Sequence, residues 1–299
     1  MPSRNTLYVE YLKAPAGFDQ TVGFYVDGNK IYGQLGLDAT TANWEPLGST
    51  DPLTRLQLRF IPQVAAVGYT ELDAGQYHPR FYRGGFNPSY DNLMRPIDTK
   101  IAMMAEERID ILDTDLTGIS RVATPSTGNK DTYGAVIGNT LRQACSDVES
   151  QLKGILLENG YQSGHPKGYL STNDYVKVCK PLRLEEYSVR LMRHEGYPEV
   201  TPFRGWNAGA PTASLPWYDA YNAIKHDQEK DFHRGTLEHV IGAVAALHVL
   251  VLAQWGATFM RQISRDAFFT LSKYPRWEHK DRTFAPPPGS TWTKLPYQF

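Results

Sequence analysis

The hydrophobic rhythm of the chain changes about a third of the way along. Early on, apolar residues come in short runs or alternate with polar ones, and turn residues separate the runs. This pattern predicts strands. Leu7-Tyr8-Val9-Glu10-Tyr11-Leu12 is rich in β-formers. Val22 to Val26 and Ile31 to Leu35 flank Asp27-Gly28-Asn29-Lys30, which predicts a hairpin. Arg55-Leu56-Gln57-Leu58-Arg59-Phe60 alternates, as a half-buried strand does. Residues 75–96, dense in Gly, Pro and Tyr, read as a long loop.

A helical period then takes over. Ile101, Met104, Ala105, Arg108, Ile109 and Leu112 predict a helix over 100–112, and residues 118–133 read as a linker. Leu141, Cys145, Val148, Leu152, Ile155 and Leu156 mark an amphipathic helix that Asn159-Gly160 ends. Asn173-Asp174 caps a short helix through Cys179. Residues 185–193 fit a strand or a helix, and 198–216 are irregular. Helices are expected over 217–230, 236–255 and 259–271, with an irregular Pro/Trp-rich tail over 276–299.

The expected fold class is therefore α+β. A β-rich module over 1–125 precedes a helical domain over 130–275, and the tail follows.

Composition changes little in this picture. Of 299 residues, 41% are hydrophobic and 21% charged, which suits a globular chain. A net charge of -1 excludes a global pull toward nucleic acid or anionic membrane, so RNA contact requires a local patch. The two cysteines, Cys145 and Cys179, are too few for a disulfide framework, and a reducing cytoplasm is expected. No signal peptide is evident in residues 1–12. The apolar stretch 240–253 is shorter than the ~20 residues of a membrane span and contains His248, so a buried core helix is expected and no membrane.

The conspicuous polar constellation lies in Trp217-Tyr218-Asp219-Ala220-Tyr221-Asn222-Ala223-Ile224-Lys225-His226. Residues four apart share a helix face. Tyr218, Asn222 and His226 thus form one row, and Trp217, Tyr221 and Lys225 the row beside it. An imidazole can move protons near neutral pH, a carboxamide and an ammonium can hold phosphate oxygens, and the aromatic rings can stack on unpaired bases. On the residues alone, structural use in helix packing and capping is favoured over catalysis.

This run, followed by a break and a long Ala/Leu/Val helix, resembles the HEPN-like helical domains of prokaryotic proteins. Helix 141–156 is similar to their first long helix. Pro202-Phe203-Arg204-Gly205-Trp206 resembles a Pro-aromatic-x-x-Trp stretch that precedes the signature in uncharacterised bacterial members. The resemblance, a Trp-x-x-x-Tyr-Asn-x-x-Lys-His motif over roughly 133–271, implies a helical fold and a homodimer with two motifs facing one another. It implies a metal-independent ribonuclease or toxin-like effector of bacterial defence, with His226 as acid/base and Asn222 as phosphate ligand. Lys225, Tyr221, Tyr218 and Trp217 would contact RNA. Tyr221 stands where the family's nucleases carry arginine, which removes a charge that tyrosine cannot replace near neutral pH. The alternative from another class is a non-catalytic interaction protein that uses these residues for a bundle or dimer.

Other chemistries find less support. His226, Asp227, Asp231, His233 and His239 crowd together without zinc-site spacing, so no metal is expected, and no cofactor. No Gly-x-Ser-x-Gly, P-loop or Gly-x-Gly-x-x-Gly occurs. Tyr77-His78-Pro79-Arg80-Phe81-Tyr82-Arg83 interleaves aromatics and arginines, as a nucleic-acid surface or a packed loop would. Lys177, Lys180, Arg183, Arg190 and Arg193 are diluted by Glu185, Glu186 and Glu195, which suits a solvated face.

Overall fold

The computed structural model describes residues 6–11, 21–27, 30–33, 44–46, 51–60, 64–83, 98–256, 267–284, 286 and 290–299. The fold class is α+β, with an antiparallel sheet near the N-terminus and seven α-helices mostly in the later half among the described residues. The chain divides into two compact units. One comprises Met1–Pro79, Arg83–Pro96 and Arg276–Leu295; the other comprises Arg80–Tyr82, Ile97–Pro275 and Pro296–Phe299. This division differs from the segments read along the sequence. Helix 99–120 belongs with the helical unit, and most of the C-terminal tail belongs with the β-rich one.

In the first unit, strands β1 (Thr6–Tyr11), β2 (Thr21–Asp27), β3 (Lys30–Gly33), β4 (Trp44–Pro46) and β5 (Val64–Tyr69) form one sheet in the order β4-β3-β2-β1-β5. The hairpin expected around 27–30 is present, with Asp27 opposite Lys30 and Val26 opposite Ile31. Alternation puts Leu7, Val9, Phe24 and Ile31 on the buried face, where Leu56 joins them.

Leu56 belongs to a helix, α1 (Pro52–Phe60), where the alternation of 55–60 predicted a strand. Asp51 accepts a hydrogen bond from the Thr54 amide at 3.1 Å, and Pro52 opens the first turn with a preset φ. Those start signals prevail over a short alternating run, and Leu58 is left exposed. The stretch expected as loop contributes β6 (Gln76–Tyr77), which pairs in parallel with β9 (Thr293–Lys294) from the tail. Residues 84–96 of that expected loop lie outside the described residues.

The second unit is built on α2 (Thr99–Ser120), α3 (Ala135–Glu158), α5 (Pro216–His226) and α7 (Leu237–Trp255), with short helices α4 (Thr172–Tyr175) and α6 (Gln228–Asp231) between them. The helix expected over 100–112 extends to Ser120. Asn159 and Gly160, the latter at φ +72°, end α3 as expected. Asp227 ends α5 by leaving helical geometry and accepts a hydrogen bond from Lys230, so the single helix expected over 217–230 is two.

Residues 188–191 resolve as strand β7 (Ser188–Leu191), paired with β8 (Phe269–Lys273). The helix expected over 259–271 therefore gives way to a strand by Phe269; residues 257–266 lie outside the described ones. Phe269 and Leu271 alternate, and the ladder to β7 satisfies their backbone.

Helix α7 is apolar on every side because it is covered on every side. It is long and apolar enough to cross a membrane by length and composition, yet 89% of that window is buried against neighbouring elements, as in the core helix of a soluble protein. Leu141, Val148, Leu152 and Ile155 of α3, Leu112 and Leu116 of α2, and Trp217 and Ile224 of α5 share its core.

Candidate functional site

Helix α5 is held by its aromatic residues. Pro216 starts it, and the Trp217 indole donates to the Pro202 carbonyl at 2.8 Å. The Trp217 ring meets Phe203 edge-on, and Gly242 of α7 leaves room for it, since a Cβ there would lie 3.2 Å from Trp217 Cδ1. The Tyr218 hydroxyl donates to Glu149 Oε1 of α3 at 2.6 Å. At the outer edge Asp219 pairs with Arg234 at 2.6 Å.

The six candidate residues consequently divide. Trp217, Tyr218 and Tyr221 are buried, Asn222 is half-buried, and Lys225 and His226 are exposed. The rings of the three aromatics pack edge-on against Phe203 and one another. The row Tyr218, Asn222, His226 runs from the core to solvent as the helix turns.

A different group comes together instead. The Tyr218 and Tyr221 rings lie 5.5 Å apart in an edge contact, and the Lys225 ammonium stands 5.2 Å from the centre of the Tyr221 ring. The Glu149 charge acts on all three. Burial, the Glu149 hydrogen bond and the Glu149 charge push the Tyr218 phenol far above its usual range. Burial first, and Glu149 second, raise Tyr221 as well and push Tyr175 of α4 up to about 12. The Tyr221 hydroxyl, more than any other group, raises Lys225 and favours its ammonium form.

Glu149 is not singled out by the sequence. Its one signal is position: it follows Cys145 by one turn and so borders the apolar row of α3.

The remaining candidates have ordinary employment. Among the described residues no three His, Cys, Asp or Glu side chains gather to hold a metal. Within the crowded 226–239 stretch, Asp227 caps α6 and His239 Nδ1 lies 2.7 Å from the Arg234 carbonyl. Both cysteines are buried and form no disulfide with one another, and burial raises their thiols, Cys179 to about 12, which suppresses the nucleophilic thiolate.

In the 77–83 stretch Tyr77 and Phe81 are buried, and Arg80 bonds Glu158 at 2.7 Å, so these residues are packed. In the basic run, Arg183 forks onto Glu186 and Arg190 meets Glu199.

Compared with known proteins, the chain matches no family model, no curated protein and no solved structure.

Proposed function

We propose that the helical unit is an RNA-directed, HEPN-like domain whose contact edge is the last turn of α5, with Asn222, Lys225 and His226. The observation that carries this reading is the Lys225 ammonium beside the Tyr221 ring. It puts a cation next to the position where the family's nucleases carry arginine, one residue from an exposed imidazole. In this reading Lys225 meets a phosphate oxygen, Asn222 donates to another, and His226 transfers the proton. The buried aromatics fix the helix and do not touch RNA. A cytoplasmic homodimer with two such edges facing one another completes the site, and free, buried Cys145 and Cys179 suit that compartment.

The test is incubation of the purified chain with total RNA beside His226→Ala. Cleavage that disappears in the variant supports the reading. Cleavage indifferent to the substitution, or none by the unaltered chain, ends the nuclease part of it.

A second reading is a non-catalytic interaction domain in which the motif only assembles the bundle. The Tyr218–Glu149 bond favours it, together with Asp227, Glu229 and Asp231 beside the edge, which weaken its pull on phosphate. Under this reading, Lys225→Ala and His226→Ala leave RNA retention unchanged.

A further inference from the structure

The group formed by Glu149, Tyr218, Tyr221 and Lys225 contains one half-buried carboxylate, two buried phenols and one exposed ammonium. Glu149 is half-buried on α3 and accepts from the Tyr218 hydroxyl at 2.6 Å. Tyr218 meets Tyr221 edge-on at 5.5 Å, and Tyr221 carries the Lys225 ammonium 5.2 Å from its ring centre. No ion pair within 4 Å reaches Glu149 among the described residues, so its charge is answered at longer range.

We infer that Glu149 is a positioning residue for Lys225: through Tyr218 and Tyr221 it holds the ammonium at the exposed edge of α5. The consequence for RNA rests on the function proposed above; the positioning itself does not.

A lysine side chain free in solvent samples many rotamers, and a ring face plus a hydroxyl restricts it to a few. The titratable groups that face Lys225 are Tyr221 on its own helix and Glu149 and Cys145 on α3. Burial keeps the Tyr221 hydroxyl and the Cys145 thiol protonated, and Tyr175 of α4, which faces Glu149 and Tyr221, is held neutral likewise. That leaves Glu149 as the carboxyl group of this set. It favours the charged form of Lys225, as does the Tyr221 hydroxyl.

Glu149→Gln separates charge from shape, because the amide oxygen still accepts from Tyr218. The experiment is brief acetylation of the purified full chain with acetic anhydride between pH 8 and pH 11, with modification at Lys225 read by mass spectrometry. Glu149→Gln is expected to raise Lys225 reactivity at pH 9 about threefold or more, since uncharged amine appears at lower pH. Tyr221→Phe, which keeps the ring but removes the hydroxyl, is expected to do the same and serves if the Gln variant fails to fold. Unchanged Lys225 reactivity in either folded variant overturns the proposal.

Retention of a fluorescein-labelled single-stranded RNA, measured on the same samples, separates the two ideas. If Lys225 becomes more reactive while RNA retention stays the same, the positioning stands and the RNA reading falls. If both move together, both are supported.

Discussion

His248 Nε2 of α7 lies 2.8 Å from Asp113 Oδ1 of α2, in the middle of an otherwise apolar stretch of helix. The second oxygen, Oδ2, accepts the Phe268 amide at 2.9 Å, just before β8, and the His248 ring meets Phe269 edge-on at 5.0 Å. One carboxylate thus ties two helices and a strand. Both side chains are buried, and either alone in the core would be strongly unfavourable.

That asymmetry gives the first prediction. Asp113→Ala strands the imidazole and the Phe268 amide together and is expected to cost about 3–5 kcal/mol in urea unfolding. The paired change Asp113→Leu with His248→Leu is expected to recover a large part of that loss, because no buried polar group is then left on either side chain. A cost below about 1 kcal/mol for Asp113→Ala would show that the tie contributes little.

His248 also marks how far the sequence can be read. That 240–253 forms a core helix follows from apolar residues on every side of a segment too short to span a bilayer. Its partner, 135 positions away, leaves no trace in spacing, since periodicity reports a face and not what covers it. The hairpin at 27–30 is legible because its turn chemistry is local. Helix α1 is hidden because three alternating apolar residues mask Asp51-Pro52, and β8 because Phe269 and Leu271 sit at the end of a run that also suits a helix. At the candidate site the same limit applies. Spacing puts Tyr218 and His226 on one row, but only the packing of α3 against α5 turns the first inward, leaves the second in solvent and brings in Glu149.

The contact of Arg80 with α3 yields the second prediction. The Arg80 guanidinium bonds Glu158 at 2.7 Å and Gln254 at 3.3 Å, lies 5.9 Å from the centre of the Trp255 ring, and covers Gly154 so closely that a Cβ there would overlap it. Gly154→Ala therefore forces the guanidinium away from its partners and is expected to lower stability by about 1–3 kcal/mol despite alanine's better helix propensity. A methyl group added at Gly118 of α2 would meet nothing within 4 Å among the described residues, so Gly118→Ala is expected to raise stability by about 0.5 kcal/mol. Thermal melts that move in the same direction for both variants would remove Arg80 as the cause.

Glu106 of α2 carries the third prediction, a pH dependence. Burial, with the charge of Asp110 adding to it, pushes its carboxyl from an ordinary 4.5 up to about 7, and Oε1 is buried with no hydrogen-bond partner among the described residues. The folded chain thus keeps this proton over a range in which the unfolded chain has lost it. Relative to a neutral side chain, Glu106 is harmless below pH 4.5 and increasingly unfavourable as pH rises toward 7. Glu106→Gln, which cannot ionise, should match the unaltered chain in melting temperature near pH 4.5 and exceed it at pH 8. A difference of the same size at both pH values would mean that amide packing, and not the buried charge, sets the effect.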